Sequence, residues 1–170
     1  TGSEAARYLL HNAGLDNVKV GLVPGEMTDH YDPRSNELKL SQGVYNETSL
    51  AALGIAAHET GHAIQHARGY VPMYIRNAIV PVASIGTTAA FPLIFLGILI
   101  PSMFKIFLDI AIILYIGAVL FHVITLPVEI NASSRAVKLL SSQGILTETE
   151  IPGVKKVLRA AAFTYLAATL

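Results

Sequence analysis

The stretch His58-Glu59-Thr60-Gly61-His62 lies inside a mostly apolar segment, residues 49–68. Thr48 precedes this segment as a predicted helix cap and Gly69 follows it as a predicted helix stop, so we expect one helix between them. On that helix His58 and His62 project from one face, about 6 Å apart. Two imidazoles at this separation can occupy neighbouring positions on one zinc ion, so the spacing predicts a metal site.

Glu59 is next to the first histidine, and this position suggests a catalytic role. A carboxylate there can reach a metal-bound water, whose pKa zinc lowers toward about 7, and can accept its proton. The alternative is a partly exposed helix face that binds no metal. The apolar neighbours disfavour that alternative, because burying two histidines and a glutamate is costly unless a partner compensates.

The composition indicates that part of the chain lies in a membrane. Hydrophobic residues make up 52% of the sequence and charged residues 14%, whereas a soluble domain has about 25% charged residues. Residues 79–100 contain no charge, and residues 106–126 contain one acid, Asp109, and one histidine, His122. Each run is as long as the roughly 20 residues that a membrane-spanning helix needs. Two buried helices in a soluble core are the alternative.

Only residues 101–105 join the two runs, and so short a connection predicts a transmembrane hairpin at 79–126. Residues 1–78 and 127–170 would then lie on one side of the membrane, as parts of a single domain. Lys105 is the basic residue of the connection, whereas the other side has four basic residues near the runs: Arg68, Arg76, Arg135 and Lys138. The positive-inside rule therefore predicts that the side with the histidines is cytoplasmic.

Glu129 is the predicted third ligand, because it follows the second run and the hairpin returns it to the side of the two histidines. Two histidines and a glutamate leave a fourth zinc position for water, as in catalytic zinc sites. Ser133 lies one turn later and is expected to hydrogen-bond a ligand histidine. The alternative for Glu129 is an acid favoured at a helix N-terminus. His66 lies roughly 12 Å from His58 on one helix and is not expected to bind the metal.

The rest of the sequence indicates an α+β, mainly helical fold with a small β-sheet and the inserted hairpin. Helices and strands are predicted as follows: helices at 4–12, 49–68 and 129–143, and strands at 18–23 and 36–41. The chain has 12 basic and 12 acidic residues, which gives no case for nucleic-acid binding. It has no cysteine, which excludes disulfides and thiolate ligands.

The motifs resemble the YugP-type neutral zinc metallopeptidases, a family of putative bacterial membrane proteases. The resemblance runs nearly from end to end and rests on these stretches: Thr28-Asp29-His30-Tyr31-Asp32-Pro33-Arg34, Ala57-His58-Glu59-Thr60-Gly61-His62-Ala63-Ile64-Gln65-His66, and Leu126-Pro127-Val128-Glu129 with Asn131-Ala132-Ser133. It implies a zincin-like domain and a gluzincin-type site in which His58, His62 and Glu129 hold zinc and Glu59 is the catalytic base. Family members usually continue further in both directions, so we expect this sequence to be trimmed at both ends.

A weaker similarity reaches the HtpX-like and prenyl-protein membrane endopeptidases. Their glutamate segment commonly has an aspartate where this chain has Ser133, which leaves the partner of the ligand histidine open. The gluzincin resemblance also implies an edge strand beside the metal helix, which a substrate extends by main-chain hydrogen bonds. We assign residues 36–41 to that strand.

Together, these features predict a zinc-dependent endopeptidase of the bacterial cell membrane, with one zinc ion per chain, a protein or peptide substrate and the lipid bilayer as its surroundings. The oxyanion needs a donor besides zinc, and the candidates are His30, Tyr31 and Arg135. Two alternatives remain: a zinc hydrolase that acts on another membrane-associated substrate, and a membrane scaffold that holds zinc without catalysis.

Overall fold

The computed structural model describes residues 1–167 and gives only the backbone of residues 82, 87 and 163–167. Within these residues the protein is mainly helical, 71%, with a three-stranded sheet. The helices are α1 (Gly2–Asn12), α2 (Gln42–Tyr45), α3 (Leu50–Ala67), α4 (Val71–Leu99), α5 (Phe104–Ser142) and α6 (Ile151–Ala167), and the strands are β1 (Lys19–Val23), β2 (His30–Asp32) and β3 (Glu37–Ser41). The chain divides into two compact units. The first consists of Thr1–Tyr70 and Val128–Thr164, and the second contains Val71–Pro127.

Two helices begin at caps that differ from the predicted ones. α1 begins at Gly2, before the predicted start at residue 4, because Thr1 and Glu4 form a reciprocal capping box. α3 is capped by Ser49, whose hydroxyl accepts a hydrogen bond from the Ala52 N–H at 3.2 Å. Each cap satisfies a backbone donor that the first helical turn leaves without a partner.

The sheet has the strand order β1-β3-β2. β1 pairs with β3 in parallel, and β2 pairs with β3 in antiparallel orientation with Tyr31 opposite Leu38. The prediction that residues 36–41 form the edge strand is therefore wrong, because β3 is hydrogen-bonded on both sides. The prediction missed β2 because three residues are too short to show the alternation by which a strand is recognised.

A hydrophobic core joins the helices of the first unit. Its buried members come from α1, α3, α5, α6 and the turn before α6: Leu9, Ala57, Ala136, Leu140, Leu146, Ile151, Val154 and Leu158. Ala57 precedes the first motif histidine, and Ala136 lies two turns after Glu129 on α5. This core therefore fixes α3 and the C-terminal part of α5 within one unit, which is the arrangement that the predicted metal site requires.

The second unit contains α4 and the apolar part of α5. α4 is bent by 41° between Val71–Pro81 and Ala83–Leu99. By length and composition, the described residues contain one helix able to cross a membrane, within residues 101–142, and α4 would be a second if its two halves are taken as one span. Gly86 allows close packing inside this unit, since a Cβ there would lie 2.9 Å from the Leu114 carbonyl oxygen.

α5 continues through Pro127 without a break in helical assignment. The predicted helix at 129–143 is therefore the end of the long helix that begins at Phe104. A proline removes one backbone hydrogen bond from a helix, but membrane helices tolerate it where neighbouring groups satisfy the backbone.

Candidate metal centre

α3 presents His58 and His62 on one face, one turn apart. Their ring centroids are 4.7 Å apart and their planes are nearly perpendicular, at 87°. The helix ends after His66, and Gly69 takes the positive φ of +65° that a left-handed helix terminus favours. The histidines therefore lie in the well-formed middle of α3, away from the ends where helices fray.

Glu129 of α5 meets both histidines. Its Oε2 atom lies 3.0 Å from His58 Nε2 and 3.4 Å from His62 Nε2. One candidate ligand atom from each of the three residues lies within 4.8 Å of the other two, and His62 and Glu129 are buried. Two imidazoles and a carboxylate that converge in this way form a donor set that suits zinc, so the residues fit the predicted ion.

The electrostatics of this cluster favour positive charge at its centre. Burial raises the pKa of Glu129, but hydrogen bonds from His58 and His62 outweigh that effect and hold its pKa well below the usual range. Burial lowers the pKa of His62, but Glu129 and the charge of Glu59 outweigh it, so that its pKa is raised. A bound cation would experience the same attraction.

The Nδ1 atoms of both histidines are held by other side chains. Ser133 Oγ lies 3.1 Å from His58 Nδ1. The sequence predicted a contact between Ser133 and one of the candidate ligand histidines. Gln65 Oε1 lies 3.0 Å from His62 Nδ1. With both Nδ1 atoms occupied, the two Nε2 atoms are directed at Glu129, which is the orientation that a shared metal needs.

Glu59 is buried, with 8% of its surface exposed. Glu59 is next to His58 on α3, and its negative charge helps to raise the pKa of His62. In the part of the chain that the structure describes, the Glu59 carboxylate makes no hydrogen bond or ion pair. A buried carboxylate beside the cluster that is not tied to another protein group can accept a proton.

The remaining candidates lie outside the cluster of His58, His62 and Glu129. The exposed His30 contacts the Thr28 carbonyl oxygen through Nδ1, at 2.7 Å. Tyr31 donates to Asn36 Oδ1 at 2.8 Å, and its hydroxyl lies 2.8 Å from His66 Nδ1. Arg135 donates to Asn131 Oδ1 at 2.7 Å. These contacts give each side chain a structural role, and the oxyanion donor stays a prediction.

Gly61 shapes the site, although the sequence alone did not predict this role. A Cβ at Gly61 would lie 2.8 Å from the Ala132 carbonyl oxygen and 3.2 Å from its Cα. The backbones of α3 and α5 therefore approach closely between the histidines on one side and Glu129 and Ser133 on the other. A glycine inside the histidine motif could have indicated a close helix contact. The sequence does not show, however, that Ala132 on α5 is the residue that faces it.

Comparison with known proteins agrees with this geometry. Residues 1–170 match the family described as "Putative neutral zinc metallopeptidase". A relative from Bacillus subtilis (strain 168), "Putative membrane protease YugP", is 45% identical over 170 residues, which are 100% of this chain and 75% of the relative. No solved structure matches at a significant level. The chain therefore belongs to the putative neutral zinc metallopeptidase family.

Proposed function

We propose that this protein is a zinc-dependent membrane endopeptidase of the gluzincin type. The observation that supports the proposal is the convergence of His58 Nε2 and His62 Nε2 on Glu129 Oε2, at 3.0 and 3.4 Å. The family and the relative's description as a membrane protease support the same function. In this proposal residues 1–170 form one peptidase domain into which the hairpin at 79–126 is inserted.

The proposed mechanism assigns one role to each group. His58, His62 and Glu129 would hold a zinc ion, which would act as a Lewis acid and would lower the pKa of a water molecule. Glu59 accepts a proton from the water whose oxygen attacks the carbonyl carbon of the scissile bond, and passes that proton to the departing amine nitrogen as the C–N bond breaks. Ser133 and Gln65 keep the imidazoles oriented during these steps.

The substrate is proposed to bind in an extended conformation along β2. β3 has a strand on each side, whereas β2, within the residues that the structure describes, pairs with β3 on one side and with no strand on the other. β2 also contacts the metal helix, because the Tyr31 hydroxyl lies 2.8 Å from His66 Nδ1. An edge strand in contact with α3 offers main-chain groups to a peptide and brings that peptide to the helix that carries the ligands.

The membrane part of the proposal rests on the two apolar runs. We propose that both cross the bilayer, that the active site faces the cytoplasm, and that the substrate is a protein at the membrane. One helix within residues 101–142 has the length and composition to cross, and α4 qualifies if its bent halves form one span. The excess of basic residues on the side of the histidines supports the cytoplasmic orientation.

The substitution Glu59→Gln tests the function. The purified variant should keep its zinc and lose about 10²–10⁴-fold of its casein-cleaving activity, because the attacking water loses its proton acceptor. Glu47→Gln, which changes an exposed carboxylate, is the matched control and should cleave like the wild type. Near wild-type cleavage by Glu59→Gln would reject the mechanism, and zinc-loaded wild-type protein that cleaves no peptide or membrane substrate would favour a zinc-holding scaffold.

A further inference from the structure

Gln65 is fully buried and follows His62 by one helical turn. Its side-chain amide makes three contacts, and all of them are short. Oε1 lies 3.0 Å from His62 Nδ1, and Nε2 donates to the Val128 carbonyl oxygen and to Asn131 Oδ1, both at 2.9 Å. A buried amide with its oxygen and both of its hydrogens engaged is a fully satisfied polar group.

The contact with Val128 fixes which way the amide points. A backbone carbonyl oxygen can only accept hydrogen bonds, so the amide nitrogen of Gln65 must face Val128. A flipped amide would place two oxygens against each other there and would lose the bond. The amide oxygen therefore faces His62 Nδ1.

This orientation decides the tautomer of His62. An amide oxygen only accepts, so His62 Nδ1 must carry a hydrogen to make the 3.0 Å contact. In the neutral imidazole Nε2 is then the atom with the lone pair, and Nε2 is the atom that faces Glu129 Oε2 at 3.4 Å. His58 has no such constraint, because the Ser133 hydroxyl beside its Nδ1 can either donate or accept.

We propose that Gln65 is a positioning residue that holds His62 in the Nδ1–H tautomer and so directs Nε2 to the metal. This inference rests on the proposed zinc site but not on any peptidase activity. Gln65 also joins α3 to α5 on both sides of Glu129, through Val128 and Asn131. The amide oxygen contacts the histidine directly, whereas the amide nitrogen fixes the orientation of the amide and joins the two helices.

Zinc affinity of the detergent-solubilised full chain, measured by competition with a chelator, separates these roles. Gln65→Met has a similar volume but no acceptor, and should bind zinc about 10–100-fold more weakly. Gln65→Glu keeps an oxygen for His62 but places its other oxygen against the Val128 carbonyl, so it should be less stable, while the folded variant should bind zinc within a few-fold of the wild type. Asn131→Ala removes an acceptor that the Gln65 nitrogen shares with Arg135 but leaves the Gln65 oxygen beside His62, and should bind zinc almost as the wild type does. Thr60→Val is the control, because it alters a buried hydroxyl that donates to the Ala56 carbonyl oxygen in its own helix.

Equal weakening in Gln65→Glu and Gln65→Met would mean that Gln65 acts only as a helix contact, and wild-type affinity in Gln65→Met would reject the proposal. Nitrogen-15 NMR of zinc-loaded wild-type protein gives a reading that needs no variant to fold. It should show His62 Nδ1 protonated and Nε2 bound to the metal, and the reverse assignment would overturn the inference. Wild-type protein that binds no zinc would instead overturn the proposed function.

Discussion

His58 and His62 occupy equivalent positions in the motif but have different surroundings. Ser133 on α5 contacts the first histidine, whereas Gln65 on α3 contacts the second. Both histidines are oriented toward the same carboxylate oxygen of Glu129. The site is therefore asymmetric at the level of single atoms, and the role of each residue depends on the group opposite its second nitrogen.

The metal-free protein should be most stable at mildly acidic pH. The lowered pKa of Glu129 contributes stability that is full above the ordinary value of 4.5 and is lost as the pH falls from there through the lowered pKa. The raised pKa of His62 contributes stability that is full below the ordinary value of 6.5 and is lost as the pH rises through the raised pKa. We expect the melting temperature with a chelator present to peak between these two values.

Zinc should reverse this trend, because it binds the neutral imidazole and should stabilise more at about pH 8 than at about pH 6. Thermal unfolding in detergent, with chelator or with zinc, measures both effects. Glu129→Gln is the control and should flatten the pH profile of the metal-free protein. A profile that keeps its peak in that variant would show that the ion pair is not its cause.

The convergence of His58, His62 and Glu129 could be predicted because their chemistry is visible in the sequence. His58 and His62 have a spacing that suits one ion, and Glu129 follows the second apolar run by three residues. Gln65 could not be predicted in the same way, because its role depends on the Val128 carbonyl, which every residue type possesses. A backbone partner leaves no signature in the sequence.

At the scale of elements, the crossing of α3 and α5 determines the site. Gly61 and Ala132 are in contact at this crossing, and the ligands lie within one turn of the contact on each helix. The separation of the two backbones there determines how closely Glu129 approaches the histidines. A change at the crossing should therefore alter zinc binding without altering a ligand.

Gly61→Ala tests this relation. Its Cβ would lie 2.8 Å from the Ala132 carbonyl oxygen, and a backbone atom cannot move aside as a side chain can. The helices must separate, so we expect a loss of about 1–3 kcal/mol of folding stability and weaker zinc binding in the folded protein. Chelator competition and denaturant unfolding measure the two effects separately.

Gly54→Ala is the matched control for Gly61→Ala. Gly54 is also on α3, but a Cβ there would meet the Val154 side chain at 3.1 Å, on α6. That variant should lose some stability and keep its zinc affinity. If Gly61→Ala bound zinc as tightly as the wild type, the helix crossing would not control the position of Glu129.

The element boundaries show where the sequence was ambiguous. The helix at 129–143 was predicted to begin after Pro127, since a proline commonly ends a helix, but α5 runs through it. The place of β3 at the centre of the sheet was missed because β1 joins it in parallel from one side and β2, only three residues long, joins it from the other. Strand order depends on pairing between distant segments, which local patterns do not specify.

At the scale of the whole molecule, the two apolar runs lie in sequence between the histidines and Glu129, which are the proposed ligands. α3 precedes both runs, and Glu129 follows them. The proposed hairpin returns the chain to the side on which it began, and this return is needed for a site built from both parts. The proposed cytoplasmic orientation of the active site rests on the distribution of basic residues along the sequence. It is the part of the proposal that depends least on the fold.

Labelling of introduced cysteines in intact cells tests the orientation. The sequence contains no cysteine, so all labelling of this chain comes from the introduced cysteine. A cysteine at Ser102 should react with an impermeant reagent, and a cysteine at Ser141 should react only after the membrane is opened. The reverse pattern would place the active site outside the cell, and equal labelling of both positions in intact cells would mean that the hairpin does not return.

The zinc content of purified Glu129→Ala, compared with that of wild type and His66→Ala, tests the central claim most directly. Glu129 is the proposed ligand from the part of the chain that follows the apolar runs, whereas His66 lies outside the cluster of three candidate ligands and contacts Tyr31. We predict about one zinc ion per chain in the wild type and in His66→Ala, and little zinc in Glu129→Ala, because two histidines alone do not make the three-ligand site. Full zinc occupancy in folded Glu129→Ala would contradict the site described for this protein.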